Sequence, residues 1–251
     1  MKRLQNCVAL ISGGAQGQGA AEARLFVKEG AKVLISDILD EKGKALANEL
    51  GENAEYFHLD VTKEGDWRDA IKYVQDRFSK LNILINNAGI LGSGLIVETT
   101  LTEYQHIVDV NQTGCFLGMK IGGAAIIDAG GGAIVNISSV AGLRGISNAV
   151  AYTASKYAIT GMTKTAALEM GRHGVRVNSI HPGLINTEMT KGPGFSSSNG
   201  SGQTSEQPIP RAGEPEEVAR LALFLCSSES SYCTGGEYLV DGGYTAGVIF
   251  D

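Results

Sequence analysis

Short apolar runs alternate along the chain with longer stretches in which apolar residues recur at helical spacing. Residues 8–11, 32–36, 54–59, 81–85, 133–137, 176–180 and 237–240 read as strands. Most are continuous aliphatic runs bounded by Gly, Asn, Asp or Ser, as strands buried on both faces should be. Residues 20–29, 40–50, 64–79, 102–129, a helix that starts before Tyr152 and runs to about residue 171, and 214–225 read as helices. Strand and helix take turns throughout. That order predicts an α/β fold: one Rossmann-type, doubly wound parallel sheet of about seven strands with helices on both faces. Such sheets bind ligands beyond the carboxyl ends of their strands, so the residues that follow each run are the candidates.

Those residues are chemically distinctive. After the first run comes Ser12-Gly13-Gly14-Ala15-Gln16-Gly17-Gln18-Gly19, then a helix. A glycine-rich turn between strand and helix offers backbone N–H groups and the positive helix end to a phosphate, and also reads as a tight packing turn. Asp37 follows the second run, 18 residues after Gly19. A carboxylate there can grip ribose hydroxyls and repels a 2′-phosphate, which favours NAD over NADP. Asp37 can also cap the helix at 40–50. Asp60 follows the third run, placed to accept from an adenine amino group or to cap the helix at 64–79. The fourth run ends in Asn86-Asn87-Ala88-Gly89, small residues that let a ligand come close. Asn111 sits within the pattern at 102–129, a poor helix residue without a special reason to be there. Ser139 follows the fifth run. Tyr152 and Lys156 are four apart and share one helix face. A lysine ammonium near a phenol lowers the phenol pKa from about 10 and makes it usable as a general acid or base. The pair also reads as an ordinary surface pair on a helix. His181-Pro182-Gly183 and Asp241-Gly242-Gly243 follow the last two runs.

Composition narrows the classes. A chain of 251 residues, 43% hydrophobic and 19% charged, fits one large domain with an ample core. The net charge of −6, without blocks of like charge, argues against nucleic acid and anionic membranes as partners. Cys7, Cys115, Cys226 and Cys233 are scattered, as are His58, His106, His173 and His181, so neither a metal site nor a disulfide framework is expected. A reducing cytoplasm is the simplest compartment. Lys2-Arg3 before the run at 8–11 mimics a signal peptide, but that run is too short, and no stretch approaches a membrane span. Residues 192–202 are Gly/Ser-rich and read as a loop.

Taken together, Ser12-Gly-x-x-x-Gly17-x-Gly19, Asn86-Asn87-Ala88-Gly89, Asn111, Ser139, Tyr152-x-x-x-Lys156, Pro182-Gly183 and Asp241-Gly242-Gly243 resemble the short-chain dehydrogenase/reductase family over essentially the whole chain. The resemblance implies a small-molecule enzyme that moves a hydride between a nicotinamide coenzyme and an alcohol or ketone. Tyr152 would exchange the proton, and Lys156 would lower its pKa and bind the nicotinamide ribose. Ser139, thirteen residues before the tyrosine, would orient the substrate oxygen. Asn111 would hold a water chain to Lys156. Gly13, Gln16, Gly17, Gln18, Gly19, Asp37, Ile38, Asp60, Val61, Asn87, Ala88, Gly89, Pro182, Gly183, Ile185 and Thr187 would line the coenzyme, with Thr187 on the carboxamide. Gln18 departs from the usual apolar residue, and Ser12 from the usual threonine.

Within the family, 37–41, 178–183 and 240–245 are similar to NAD-dependent 3α/20β-hydroxysteroid dehydrogenases and bacterial cyclic-alcohol dehydrogenases. The expected pocket wall, Ile90, Leu91, Ser139, Val140, Leu143, Ile146, Leu184, Met189 and Phe195, is mostly apolar. Arg144 is its one charge and is expected to face solvent. The segment 187–211 is expected to close over substrate. The family also implies a homotetramer. A 3-oxoacyl-carrier-protein reductase is a rival, opposed by Asp37 and the acidic charge; a non-catalytic dinucleotide-binding regulator is another, opposed by the intact Asn111, Ser139, Tyr152 and Lys156.

Overall fold

A computed structural model describes residues 2–191 and 207–247. Seven parallel strands form one sheet in the order β3-β2-β1-β4-β5-β6-β7. They are β1 (Val8–Ser12), β2 (Lys32–Asp37), β3 (Ala54–His58), β4 (Ile83–Asn86), β5 (Gly132–Ile137), β6 (Val175–Pro182) and β7 (Glu237–Val240). The expected α/β architecture is thus present, and every expected strand lies within three residues of its observed limits. β6 runs two residues further than its apolar run, because Ser179 and His181 are buried despite being polar.

Strand side chains alternate between two cores, as period two requires. Ala9, Ile11, Val33, Ile35, Ile83, Ile85 and Val135 face one core, shared with α1 (Gly17–Lys28), α2 (Asp40–Leu50) and Pro215–Cys226. Val8, Leu10, Leu34, Leu84 and Ile134 face the other, shared with α3 (Glu64–Phe78) and two long helices, 101–128 and Val150–Met170. We number these α4 (101–128), α5 (Val150–Met170) and α6 (Pro215–Cys226). Trp67 on α3 is wholly buried, and its indole N–H donates to Val61 O at 3.0 Å. Truncating such a ring to alanine costs about 3–5 kcal/mol.

Two local features position the site. α4 opens on a capping box between Thr100 and Glu103, then contains two π turns, Asp109–Thr113 and Gly118–Gly122. A π turn inserts one residue and rotates the face that follows, a device often found at functional sites. The order of winding reverses at β1: β2 and β3 are added on one side of it, and β4 to β7 on the other. The crevice at that switch point is where a doubly wound sheet receives a dinucleotide.

Candidate active site

The glycine-rich turn folds as it does because two glycines leave no room for a side chain. Gly13 has φ +63°, and a Cβ there would lie 2.7 Å from Ala88 Cα. A Cβ on Gly19 would run into the Gly13 carbonyl oxygen. The turn is tied to the end of β4 by Asn87, whose Nδ2 donates to Ser12 O at 3.1 Å and Gly13 O at 2.8 Å. The Ser12 hydroxyl accepts from Asn87 N and Ala88 N, both at 3.2 Å. α1 begins at Gly17 with Gln16 as its N-cap, and no side chain caps its first amides. Those N–H groups and the helix dipole are available to an anion. Thr187 lies over this turn, its Cγ2 3.4 Å from where a Gly17 Cβ would sit.

Asp37 ends β2, buried beside the turn. Its Oδ2 accepts from Ala15 N at 3.0 Å and its Oδ1 from Leu39 N at 3.1 Å. The carboxylate therefore joins the phosphate turn to the segment before α2. It is not the N-cap of that helix, a position held by Leu39. Ile38 beside it is 61% exposed. Gln16 is held by Lys42, whose Nζ donates to Oε1 at 2.7 Å. Asp60 closes its own turn, accepting from Thr62 N at 3.1 Å and Thr62 Oγ1 at 2.7 Å; α3 is capped by Lys63 instead. Val61 is buried against Gly114. Gln18 on the phosphate turn keeps a buried Oε1 with no hydrogen-bond partner among the described residues. A narrow glycine turn, uncapped helix amides, a buried carboxylate at β2 and this orphan amide oxygen together fit a dinucleotide.

At the end of β6, Gly183 N donates to Val240 O at 2.9 Å, and Asp241 closes the neighbouring turn through Gly243 N and Thr245 N, both at 2.9 Å. Ile185 is buried and bridges Gly213. Thr187 N donates to Thr190 Oγ1 at 3.1 Å, which folds the following turn back toward the glycines.

The chemically reactive groups gather across β4, β5 and α5. Lys156 is 3% exposed; its Nζ donates to Ile137 O at 2.8 Å and lies 5.4 Å from the Tyr152 ring centroid. Burial lowers its pKa to about 8, with the Cys115 thiol opposing. The ammonium thus survives at neutral pH but is poised. Burial raises the Tyr152 phenol, and a hydrogen bond with the Ser139 side chain opposes that rise. Ser139 and Ser138 are distinguished by their partners. Ser138 Oγ donates to Lys156 O at 3.1 Å, inside the fold. Ser139 Oγ accepts from Ala141 N at 3.1 Å at the mouth of a short 3₁₀ turn, and it is the one facing Tyr152.

Asn111 falls in the first π turn of α4 and is fully buried. Its Oδ1 accepts from Ile90 N at 2.8 Å, and its Nδ2 donates to Ile90 O at 2.9 Å and Ser155 Oγ at 3.1 Å. Its side chain therefore clamps the strand-end loop at Ile90. A Cβ at Gly89 would still lie 3.3 Å from Asn111 Oδ1 and 3.6 Å from Lys156 Nζ, so the three converge. Ser155 was not expected: its hydroxyl joins Asn111 to Tyr152 O, to which it donates at 2.7 Å. His181 was not expected either; its Nδ1 lies 2.9 Å from Ser139 O. In sequence both looked like ordinary helix and strand residues.

The apolar wall is assembled by loops. Gly94 bridges Ala149, which sets the loop holding Leu91 beside that holding Leu143 and Ile146. Val140 is buried; Leu91, Leu143, Ile146 and Leu184 are half-buried, and Met189 is 44% exposed. Phe195 lies outside the described residues. Arg144 is exposed as expected, with its guanidinium 4.8 Å from the Tyr244 ring centroid. Among the described residues, no cluster of three or more His, Cys, Asp or Glu could hold a metal, and the four cysteines are free thiols.

A parallel doubly wound sheet with a phosphate turn at its switch point and a tyrosine–lysine pair beside it defines a nicotinamide-dinucleotide oxidoreductase. A family model described as enoyl-(acyl carrier protein) reductase matches residues 13–245. The 3-alpha-(or 20-beta)-hydroxysteroid dehydrogenase of Mycobacterium tuberculosis (strain ATCC 25618 / H37Rv) is 49% identical over 246 residues, 98% of this chain and 92% of that protein. Trans-4-hydroxycyclohexanecarboxylate dehydrogenase of Sinomonas cyclohexanicum is 42% identical over 98% of this chain and 95% of its own length. Cyclohexanol dehydrogenase of Acinetobacter sp. (strain SE19) is 39% identical over 97% of each. The chain belongs to the short-chain dehydrogenase/reductase family and is an oxidoreductase acting on CH–OH groups.

Proposed function

We propose that this chain is an NAD-dependent dehydrogenase of an apolar cyclic secondary alcohol, a steroid or an alicyclic ring, and reduces the matching ketone with NADH. The observation that carries the coenzyme choice is Asp37, buried at the end of β2 with both carboxylate oxygens fixed by backbone amides. A fixed carboxylate beside the ribose position repels a 2′-phosphate. The relatives named for hydroxysteroid and cyclohexanol substrates, together with the mostly apolar loops around Ser139, support the substrate class.

The coenzyme, when bound, accepts or gives the hydride. Every other task falls to the chain's own side chains. Ser139 orients the substrate oxygen. Tyr152 takes the hydroxyl proton as the alcohol is oxidised and returns it in the reverse direction. Lys156, desolvated and charged, stabilises the phenolate that proton transfer leaves, a differential effect and therefore a catalytic one. Asn111 and Ser155 fix the backbone around that pair. Gly13, Gln16, Gly17, Gln18, Gly19, Ile38, Asn87, Gly89, Pro182, Gly183, Ile185 and Thr187 complete the coenzyme cradle of a single domain; of the segment 187–211 expected to cover substrate, 192–206 lie outside the described residues.

The reading extends to a homotetramer in the cytoplasm. Exposed Leu101 and Phe116 on α4, with Tyr157 and Leu168 on α5, support association of copies. Among the described residues no helix is long and apolar enough to cross a membrane. The 3-oxoacyl-carrier-protein reductase reading is opposed by Asp37 and the net charge of −6. The deciding assay follows reduced-coenzyme absorbance with NAD and with NADP against 3α-hydroxysteroids, cyclohexanol, a simple secondary alcohol and a 3-hydroxyacyl thioester. Turnover with NAD on a ring alcohol is expected. Activity confined to NADP and the thioester would replace this reading with the carrier-protein one.

A further inference from the structure

The backbone ladder between β5 and β6 ends just where the chemistry begins. Its last bond runs from Ser138 N to Ile180 O at 2.8 Å. Pro182 has no N–H to extend the ladder, and the nearby Ser139 carbonyl has two partners: it accepts from Gly142 N at 2.9 Å, and His181 Nδ1 lies 2.9 Å away. The ring is fully buried, and its other nitrogen, Nε2, lies 2.9 Å from Ser179 Oγ. A carbonyl can only accept, so Nδ1 carries the proton. With one ring proton, Nε2 is bare and accepts from the Ser179 hydroxyl, whose oxygen also lies 3.3 Å from Gly236 O. That state is the neutral imidazole, which the surroundings favour: burial lowers the His181 pKa, Lys156 and Lys164 add to the effect, and the Ser139 carbonyl and Glu237 oppose it.

Ser139 is thereby held from two sides. Its hydroxyl is turned by Ala141 N at 3.1 Å, and its carbonyl is pinned by the histidine. We propose that His181 is a positioning residue of the reaction, whose Nδ1–H fixes the Ser139 backbone and so sets the place of the Ser139 hydroxyl before Tyr152. The inference rests on the role given to Ser139 above. A misplacement of about 1 Å at such a group is enough to lower turnover on the order of 10²-fold.

Three variants separate positioning from core filling. His181→Asn keeps a donor at the place of Nδ1. His181→Gln carries its amide to the place of Nε2, reaching Ser179 and leaving Ser139 O with Gly142 N as its remaining donor. His181→Leu fills the space without a donor. With NAD and whichever of cyclohexanol or a 3α-hydroxysteroid the wild type oxidises, kcat should fall about 10- to 100-fold in the Gln and Leu variants. NADH affinity, read by fluorescence titration, should change less than about twofold, and the Asn variant should stay within about threefold of wild-type kcat. Equal losses in Asn, Gln and Leu would overturn the inference. Ser139→Ala is measured beside them. If it turns over at the wild-type rate, the role of Ser139 itself is wrong; if it is impaired while His181→Leu is not, only the His181 inference is wrong. Nitrogen NMR of the histidine rings needs no substrate and no variant that folds poorly. It should show His181 as the neutral Nδ1–H tautomer near neutral pH, and an Nε2–H tautomer would refute the proposal.

Discussion

Glu22 on α1 and Lys156 on α5 are both buried, and burial moves both to a pKa of about 8 from opposite directions. Their settings differ. Lys156 has the Ile137 carbonyl at 2.8 Å and Tyr152 beside it. Glu22 sits where α1 packs on α6, close enough to Cys226 to raise that thiol, and neither carboxylate oxygen has a hydrogen-bond partner among the described residues. At neutral pH the lysine is therefore a charged group in a dry site, and the glutamate is a neutral acid in a core. Each lowers stability by being buried. Only the one with a fixed partner and a neighbouring phenol gains a chemical use from it.

Replacing the lysine breaks the comparison most strongly. Lys156→Met should lower kcat by about 10³-fold, since it removes the charge that stabilises the phenolate. It should not lower the melting temperature near neutral pH. The native Lys156 pKa of about 8 lies below the ordinary 10.5. The folded state thus binds fewer protons than the unfolded one between those values, and below about 8 the buried ammonium is a standing penalty that methionine lacks. A large fall in melting temperature would mean that the lysine is chiefly structural.

Glu22 gives the opposite slope. Its native pKa of about 8 lies above the ordinary 4.5. The folded state keeps a proton the unfolded state releases, so stability falls as pH rises through that window. The stability of Glu22→Gln relative to wild type should therefore grow between about pH 5 and 8, by on the order of 3 kcal/mol in urea titrations. A pH-independent difference would show that Glu22 is ionised and paired. Asn111→Ala should cost less, about 2 kcal/mol, by leaving both Ile90 backbone groups without their partner. Its unfolding midpoint checks this, and an unchanged midpoint would show that the clamp is dispensable.

The coenzyme half of the site was more legible in sequence than the catalytic half. Glycines at 13, 17 and 19 and an acid at 37 act through backbone shape and charge at strand ends, which spacing reveals. The reach of Tyr152 and Lys156 follows from helical periodicity. Asn111 could be flagged only as an odd helix residue; that it sits in a π turn and clasps Ile90 depends on a contact 21 residues away in sequence. Ser155 and His181 act through partners 44 and 42 residues distant, and nothing local marks them. Glu22 is buried where α6 packs over α1, a contact that no local pattern shows.

The central claim is that Tyr152 exchanges the proton while the glycine turn and Asp37 hold the coenzyme independently. Tyr152→Phe tests it directly, with NADH binding followed by fluorescence and turnover followed by absorbance on one preparation. The account predicts NADH affinity within about twofold of wild type and turnover lower by at least about 10³-fold. Wild-type turnover in that variant would contradict it.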